Sequence, residues 1–256
     1  KGKFVYELPK NVVEVHEVFL DDALRLKDSG KMLHAFTEEE TNSLKELMLC
    51  RRPNWEILFR LYHDQKLNPM SFLRSEEFLN ILTECCIKDY PYTPFADAFH
   101  TMRSMLLPVL YLMGSEVPKA DVYHAICTGY GGLLACLGGH VYKKKVLLTE
   151  HGIYTREREE EIIRAKWVQP AFKKQWISFF YMLSDIIYTR AFLVSALFTN
   201  AMHAQIQMGC DKEKCRVVEN GINYERLSPI PLKEEDGWVD IGAIVRLAPI
   251  KDIKTM

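Results

Sequence analysis

The feature that most constrains the fold is an apolar stretch that stops abruptly at a polar turn. Residues 146–149 are apolar or β-branched, a composition that favours a buried strand. Glu150 and His151 follow directly, and Gly152 then allows the backbone to turn or to approach a ligand closely. At the carboxyl end of a parallel strand, this pair would face the crevice in which open α/β sheets bind ligands. From position alone, a histidine that merely caps the sheet edge is an equally good interpretation.

A strand-type run, a loop and a helix precede this stretch. Residues 128–132 predict a tight loop, and residues 133–142 predict a helix whose small side chains suit close packing on a sheet. The loop is not a dinucleotide fingerprint, because Leu134 stands where the pattern begun by Gly129 and Gly131 requires its third glycine. The loop still places backbone amides at a helix N-terminus, where an anion or a sugar hydroxyl could bind. Close packing is the commoner reason for such glycines.

Strand-type and helix-type segments continue to alternate towards the C-terminus. The predicted strands cover 192–196 and 216–218, and the predicted helices begin at Pro170 and cover 200–208. The charged run 156–161 is expected to be mostly a solvated face. This alternation predicts an α/β fold with a doubly wound, Rossmann-like parallel sheet.

A helical block interrupts the pattern early in the chain. It extends from about residue 32 to residue 114 and contains a capping-box pattern from Thr37 to Glu40. The methionine-rich face of its last helix, residues 95–113, is typical of a packed core and not of a cofactor site. Before the block, residues 4–8 and 12–19 have the composition of short strands. We interpret the block as an insertion without chemistry of its own.

A segment rich in proline and charge marks a domain boundary. We predict an N-terminal Rossmann-like domain over residues 1–228, a linker over 229–237, and the start of a second α/β domain over 238–256. In this last part, residues 239–245 are expected to form a buried strand, and Pro249 suits a helix start. The chain is expected to be a piece truncated at both ends.

Composition argues against several classes of function. A net charge of −1 gives no electrostatic case for a nucleic-acid partner or an anionic membrane. The seven cysteines include no CxxC pair, so we expect neither a zinc site nor a disulfide framework, and a reducing compartment fits best. No apolar run reaches the roughly 18 residues of a spanning helix. The expected location is the cytoplasm.

Three segments together give the chain a family resemblance. They are the histidine turn at residues 149–158, the turn at 220–222, and Arg246 with Lys251 after the predicted strand of the second domain. In this order, across a linker, they resemble the retaining family 4 glycosyltransferases of the two-domain GT-B fold. Residues 128–130 and 249–255 add a similarity to the PelF-type enzymes of Pel exopolysaccharide synthesis.

The resemblance implies transfer of a sugar from a nucleotide donor, expected to be a UDP-sugar, with retention at the anomeric carbon and without a metal or other cofactor. A saccharide chain would be the acceptor. An inner-membrane polysaccharide-export complex is a further implied partner. The donor would lie between the two domains of such an enzyme.

The resemblance also assigns roles to residues. His151 matches the histidine that faces the donor sugar, with a role in polar contact and transition-state stabilisation. Arg246 and Lys251 match the pair that neutralises the leaving diphosphate. The remaining residues implied in nucleotide-sugar binding are Glu150, Thr128 and Gly129.

Two other functions remain open at the level of sequence. Val245 stands where the family usually has glycine beside the diphosphate. This departure favours, as the alternative, a non-catalytic GT-B-like domain that binds a nucleotide sugar or a protein partner. A dinucleotide-dependent oxidoreductase is a third interpretation, which the incomplete glycine pattern disfavours.

Overall fold

The computed structural model describes residues 7–27, 34–231, 233–234, 236–247 and 252–255. The chain divides into two compact units, residues 1–219 and residues 220–256. The first unit contains the sheet and the helices that pack on it. The predicted boundaries at 228 and 238 lie within the second unit and stay predictions.

The centre of the first unit is a four-stranded parallel sheet whose strands are adjacent in chain order. The strands are β1 (Val122–Ala125), β2 (Lys145–Glu150), β3 (Leu193–Ala196) and β4 (Cys215–Val217). In the register, Leu148 pairs with Ala125 on one side and with Val194 on the other. The predicted α/β class is confirmed, and the sheet is compatible with a Rossmann-like domain.

A layer of helices covers one face of this sheet. These helices are α6 (Gly129–Tyr142), α7 (Tyr154–Arg164), α8 (Lys173–Arg190) and α9 (Thr199–Gln207). Crossovers between parallel strands are almost always right-handed. Because the strands follow one another in one direction across the sheet, right-handed crossovers place the connecting helices on the same face. Accordingly, α6 packs against β1, β2 and α8, while α9 packs against β3 and β4. Val146, Leu148 and Val194 are buried under this layer.

The other face of the sheet is more open in the described part of the chain. Side chains alternate between the two faces along a strand, so Val122 lies on the face opposite Tyr123. Val122 is 47% exposed. Polar side chains here bind one another across the strands. His124 Nε2 lies 2.9 Å from Thr149 Oγ1, which lies 2.7 Å from Ser195 Oγ. These contacts give the polar groups partners where no helix layer covers them.

The helical block lies before the sheet in the chain. Its helices are α1 (Glu38–Met48), α2 (Trp55–Phe59), α3 (Pro69–Leu73), α4 (Glu76–Asp89) and α5 (Phe95–Met113). A π-type turn, Arg60–Asp64, continues α2, and α5 packs on α6 of the sheet layer. None of the helices in the described residues is both long and apolar enough to cross a membrane.

Two predictions for this block are confirmed. At the start of α1, Glu40 N–H donates to Thr37 Oγ1 (3.3 Å) and Thr37 N–H donates to Glu40 Oε2 (3.0 Å), which completes the capping box. The methionine-rich face of α5 is core, since Met102, Met105 and Met113 are at most 1% exposed.

Two local predictions are wrong. Residues 12–19 form no strand, and Val13 is 94% exposed, because no strand of the described residues lies beside this segment to pair with it. The loop predicted over 128–132 is shorter, because α6 begins at Gly129. Residues 4–6 of the first predicted strand lie outside the described residues.

The second unit contains one short helix among its described residues, α10 (Tyr224–Leu227). The strand predicted over 239–245 is absent from these residues, and Val239 and Ile241 are 88% and 95% exposed. An apolar run becomes a strand only where a paired neighbour and a covered face are present, and the described residues of this unit supply neither.

Small residues on α6 set its distance from the sheet, as the sequence predicts. A Cβ atom at Gly138 would lie 2.3 Å from the Tyr123 ring, and one at Gly139 would lie 2.5 Å from Val146. The Tyr123 ring cannot retreat easily, because its hydroxyl donates to Pro118 O (2.7 Å) and accepts from Ala120 N–H (3.2 Å).

We expect Gly138→Ala to destabilise the chain by about 1–3 kcal/mol, the usual cost of overpacking a filled core. The matched control is Gly131→Ala on the same helix, where the site is exposed and a Cβ would lie 3.1 Å from Cys127 Sγ, so the cost should be clearly smaller than at Gly138. Urea unfolding of both variants provides the measurement. Equal stabilities would show that α6 does not depend on close contact with β1.

Candidate functional site

The carboxyl edge of the sheet is also the edge at which three helices begin. α6, α7 and α9 follow directly after the ends of β1, β2 and β3. Their cap residues are Thr128, Ile153 and Phe198, and none of these side chains accepts a hydrogen bond from the first turn. The helices of the insertion differ, since α1 to α4 have side-chain caps from Thr37, Asn54, Asn68 and Ser75.

This difference has an electrostatic consequence. The first N–H groups of a helix have no partner within the helix, and the helix dipole adds partial positive charge at that end. Uncapped N-termini gathered at the carboxyl edge therefore favour an anion or a polar ligand there. The sequence predicted this feature for α6 alone.

Glu150, the last residue of β2, is buried and only 1% exposed. Tyr188 Oη on α8 and Gln205 Nε2 on α9 both donate to its Oε2, at 2.7 and 3.0 Å. Burial raises the pKa of Glu150, although hydrogen bonds from Tyr188, Gln205 and the Tyr154 backbone oppose that rise. A direct contact between this carboxyl group and a nucleotide sugar, as predicted from sequence, does not match its burial.

His151 lies one residue further on and is exposed. Within the described residues, no hydrogen bond or ion pair involves its ring, so it does not cap the sheet edge through a polar contact. The backbone of His151 directly follows the tightly held Glu150, and its imidazole is exposed. The imidazole can therefore contact a ligand at this edge. Its predicted catalytic role stays a prediction.

Thr128 and Gly129 shape the neighbouring turn. Thr128 is fully buried, and its Oγ1 accepts a hydrogen bond from Ser184 Oγ (2.8 Å), so its side chain is not available to a ligand. Gly129 has φ +68°, and a Cβ there would lie 2.6 Å from the Tyr154 ring. Close packing thus explains this glycine, and ligand contacts at this turn would have to come from backbone groups.

Tyr154 connects the two turns. Its ring packs edge-on against Phe180 and lies beneath the Arg158 guanidinium, 5.5 Å from the ring centroid. Arg158 Nη1 also donates to Glu161 Oε2 (2.5 Å). Arg158 is therefore held by residues of α7 itself.

The two predicted diphosphate ligands belong to the second unit. Arg246 is exposed, and Lys251 lies outside the described residues. Their assignment rests on the family resemblance and stays a prediction.

Sequence reasoning missed the two residues that hold Glu150. Tyr188 and Gln205 lie in segments that the sequence marked only as helices. One signal was available, because Gln205 shares the buried face of α9 with Ala201 and Ala204 at helical spacing. A glutamine on such a face requires a buried polar partner.

In the described part of the chain, no three His, Cys, Asp or Glu side chains are grouped as a metal site would require. The arrangement instead provides backbone N–H groups, one exposed imidazole and a rigid support beneath it. Such an edge can bind an anionic or polyhydroxylated ligand and place the imidazole against it.

The fold and this edge define an α/β domain with a parallel sheet, compatible with the Rossmann-like class. Residues 1–213 match the family described as "Domain of unknown function (DUF3492)", and the chain belongs to that family. This domain is found in GT4-like glycosyltransferases, so the chain is related to glycosyltransferases. No curated protein and no solved structure matches the chain.

The contact between Gly129 and Tyr154 can be tested by a double-mutant cycle. Gly129→Ala is expected to destabilise the chain by roughly 2–5 kcal/mol, because left-handed backbone strain adds to overpacking. In a Tyr154→Ala background, the same substitution should cost only the strain, about 1–2 kcal/mol. Chemical denaturation of the four proteins gives the coupling energy. A coupling energy near zero would mean that the ring does not restrict this turn.

Proposed function

We propose that the chain is part of a retaining glycosyltransferase that transfers a sugar from a UDP-sugar to a growing exopolysaccharide such as Pel. The observation that carries the proposal is the arrangement around His151, where an exposed imidazole adjoins uncapped helix N-termini at the carboxyl edge. Membership of DUF3492 supports the glycosyltransferase class. The resemblance in the histidine turn supports the finer assignment.

Each residue has a proposed role. His151 contacts the donor sugar and stabilises the charge that develops as the glycosidic bond breaks. Arg246 and Lys251 neutralise the leaving diphosphate, which removes the need for a metal. Glu150 does not touch the donor and instead holds the turn that carries His151.

The reaction class is testable with the full-length protein. We expect slow donor hydrolysis with one member of a panel of nucleotide sugars, and the proposed donor class predicts a UDP-sugar. Retention is tested by the anomeric configuration of the sugar transferred to a saccharide acceptor. Hydrolysis restricted to a different nucleotide, or inversion, would contradict the proposal.

Two substitutions in the full-length protein separate the halves of the proposed site. Lys251→Ala should weaken UDP binding and turnover together, because its charge meets the diphosphate in both ground state and transition state. His151→Ala should leave UDP affinity nearly unchanged and lower kcat by about 10²–10³-fold, the usual cost of one transition-state hydrogen-bond donor. Calorimetry with UDP and steady-state kinetics give the two quantities.

The chain offers a matched control for each substitution. Lys212→Ala removes an exposed lysine outside the segments that carry the family resemblance, and His203→Ala removes an exposed histidine of α9. Neither should change affinity or turnover. If His151→Ala only lowers the melting temperature while the folded variant stays fully active, the histidine is structural.

The alternative, a binding domain without catalysis, has the Val245 departure as its support. It predicts UDP binding that responds to Lys251→Ala, with no hydrolysis of any donor in the panel. The same set of measurements therefore distinguishes the two functions.

A further inference from the structure

The hydrogen bonds of the Glu150 carboxyl group are unequally shared. Both side-chain donors, Tyr188 and Gln205, reach Oε2, while Oε1 is buried and has no partner. An ionised carboxylate carries its charge on both oxygens and attracts donors to each. A neutral acid differs, because its carbonyl oxygen accepts and its hydroxyl oxygen donates. The observed pattern is that of a neutral acid whose hydroxyl oxygen is Oε1.

The amide oxygen of Gln205 also lacks a hydrogen-bond donor. Its Nε2 donates to Glu150, but its Oε1 is buried without a partner. Two buried acceptors without donors lower the stability of the folded state, since each loses its hydrogen bonds to water and gains none in the protein. One proton on Glu150 Oε1 would supply a donor for the amide oxygen and remove both defects.

In the described part of the chain, the side chains around Glu150 bring no positive charge. The interactions that oppose the effect of its burial are hydrogen bonds from Tyr188, from Gln205 and from the Tyr154 backbone at the start of α7. The titratable groups that interact with it are Tyr188 on α8, Glu157 on α7 and Cys127 after β1. Each of these is neutral or negative, and no cationic side chain contacts Glu150 among the described residues. A buried carboxylate without a cation is strongly disfavoured.

We infer that Glu150 is a neutral carboxylic acid in the folded protein, paired through its proton with the Gln205 amide. The pair ties the end of β2 to α9, and Tyr188 adds α8 to the same oxygen. Glu150 is thus a positioning residue for the turn that carries His151. The inference deepens the proposed function, but its test requires no sugar transfer.

A neutral acid and an ionised acid make opposite predictions about pH. A folded-state pKa above the unfolded value gives stability that is complete at low pH and is lost as pH rises through the folded pKa. Burial raises the pKa of Glu150 against the opposing hydrogen bonds, so its contribution should decline above about pH 4.3, the ordinary glutamate value. An ionised Glu150 with a depressed pKa would show the reverse.

The variant Glu150→Gln is the reference, because glutamine copies a neutral acid in shape and hydrogen bonding and does not titrate. Melting temperatures of wild type and Glu150→Gln are compared between about pH 5 and pH 8. We expect the wild type to lose roughly 3–5 °C against the variant for each pH unit between the unfolded and folded pKa values. A difference that grows in favour of the wild type as pH rises would overturn the inference.

The chain supplies a control of opposite sign. Glu40 is also buried, at 4% exposure, and burial opposes its ionisation, but hydrogen bonds from the Thr37 backbone and from His34 outweigh burial and lower its pKa. Stability from Glu40 is therefore lost as pH falls through the folded pKa. Below about pH 4.3 the wild type should gain on Glu40→Gln as pH rises, and between about pH 5 and pH 8 that difference should stay level while the wild type declines against Glu150→Gln.

Two further measurements keep the inference testable if Glu150→Gln fails to fold. Infrared spectra of wild type labelled with ¹³C-glutamate should show a protonated-carboxyl band at about pH 6, where exposed glutamates are ionised. Amide exchange of residues 151–154, after correction for the base catalysis of chemical exchange, should show easier opening of this turn as pH rises. Loss of the infrared band at that pH in folded wild type would overturn the inference.

Discussion

The pairing of β2 on both sides is the constraint on which the rest of the structure depends. Because β1 and β3 flank it in parallel, the carboxyl ends of all three strands meet at one edge of the sheet. Each strand then leads into a helix on the covered face, so three helix N-termini reach the same edge. This topology brings His151 to the edge, and the buried Glu150 beside it holds the turn that carries it.

Most of the sheet could be predicted from sequence because its strands are short apolar runs with clear ends. The same reasoning succeeded for α5 and for the capping box of α1, where the signal is local. It failed for residues 12–19 and 239–245, whose composition favours strands as strongly as that of β3. Composition records a preference for the extended backbone, whereas a strand also requires a neighbour, and the neighbour is not encoded locally.

The candidate site was predictable only in part for a related reason. A strand that ends in Glu150 and His151 indicates a polar edge, but it cannot say which residue faces the ligand. That division depends on Tyr188 and Gln205, which lie 38 and 55 residues further along the chain. Family resemblance suggested the pair as a unit, and the geometry separates a buried support from an exposed imidazole.

The separation explains why a buried acid is tolerated beside a proposed anion-binding edge. A negative charge at Glu150 would cancel part of the positive potential at the N-termini of α6 and α7. A diphosphate or a developing negative charge at this edge would need that potential. A neutral acid keeps the hydrogen bonds that fix the turn and leaves that field intact. Protonation therefore reconciles two demands on the same strand end: a rigid polar anchor inside the fold, and an electrostatically favourable surface outside it.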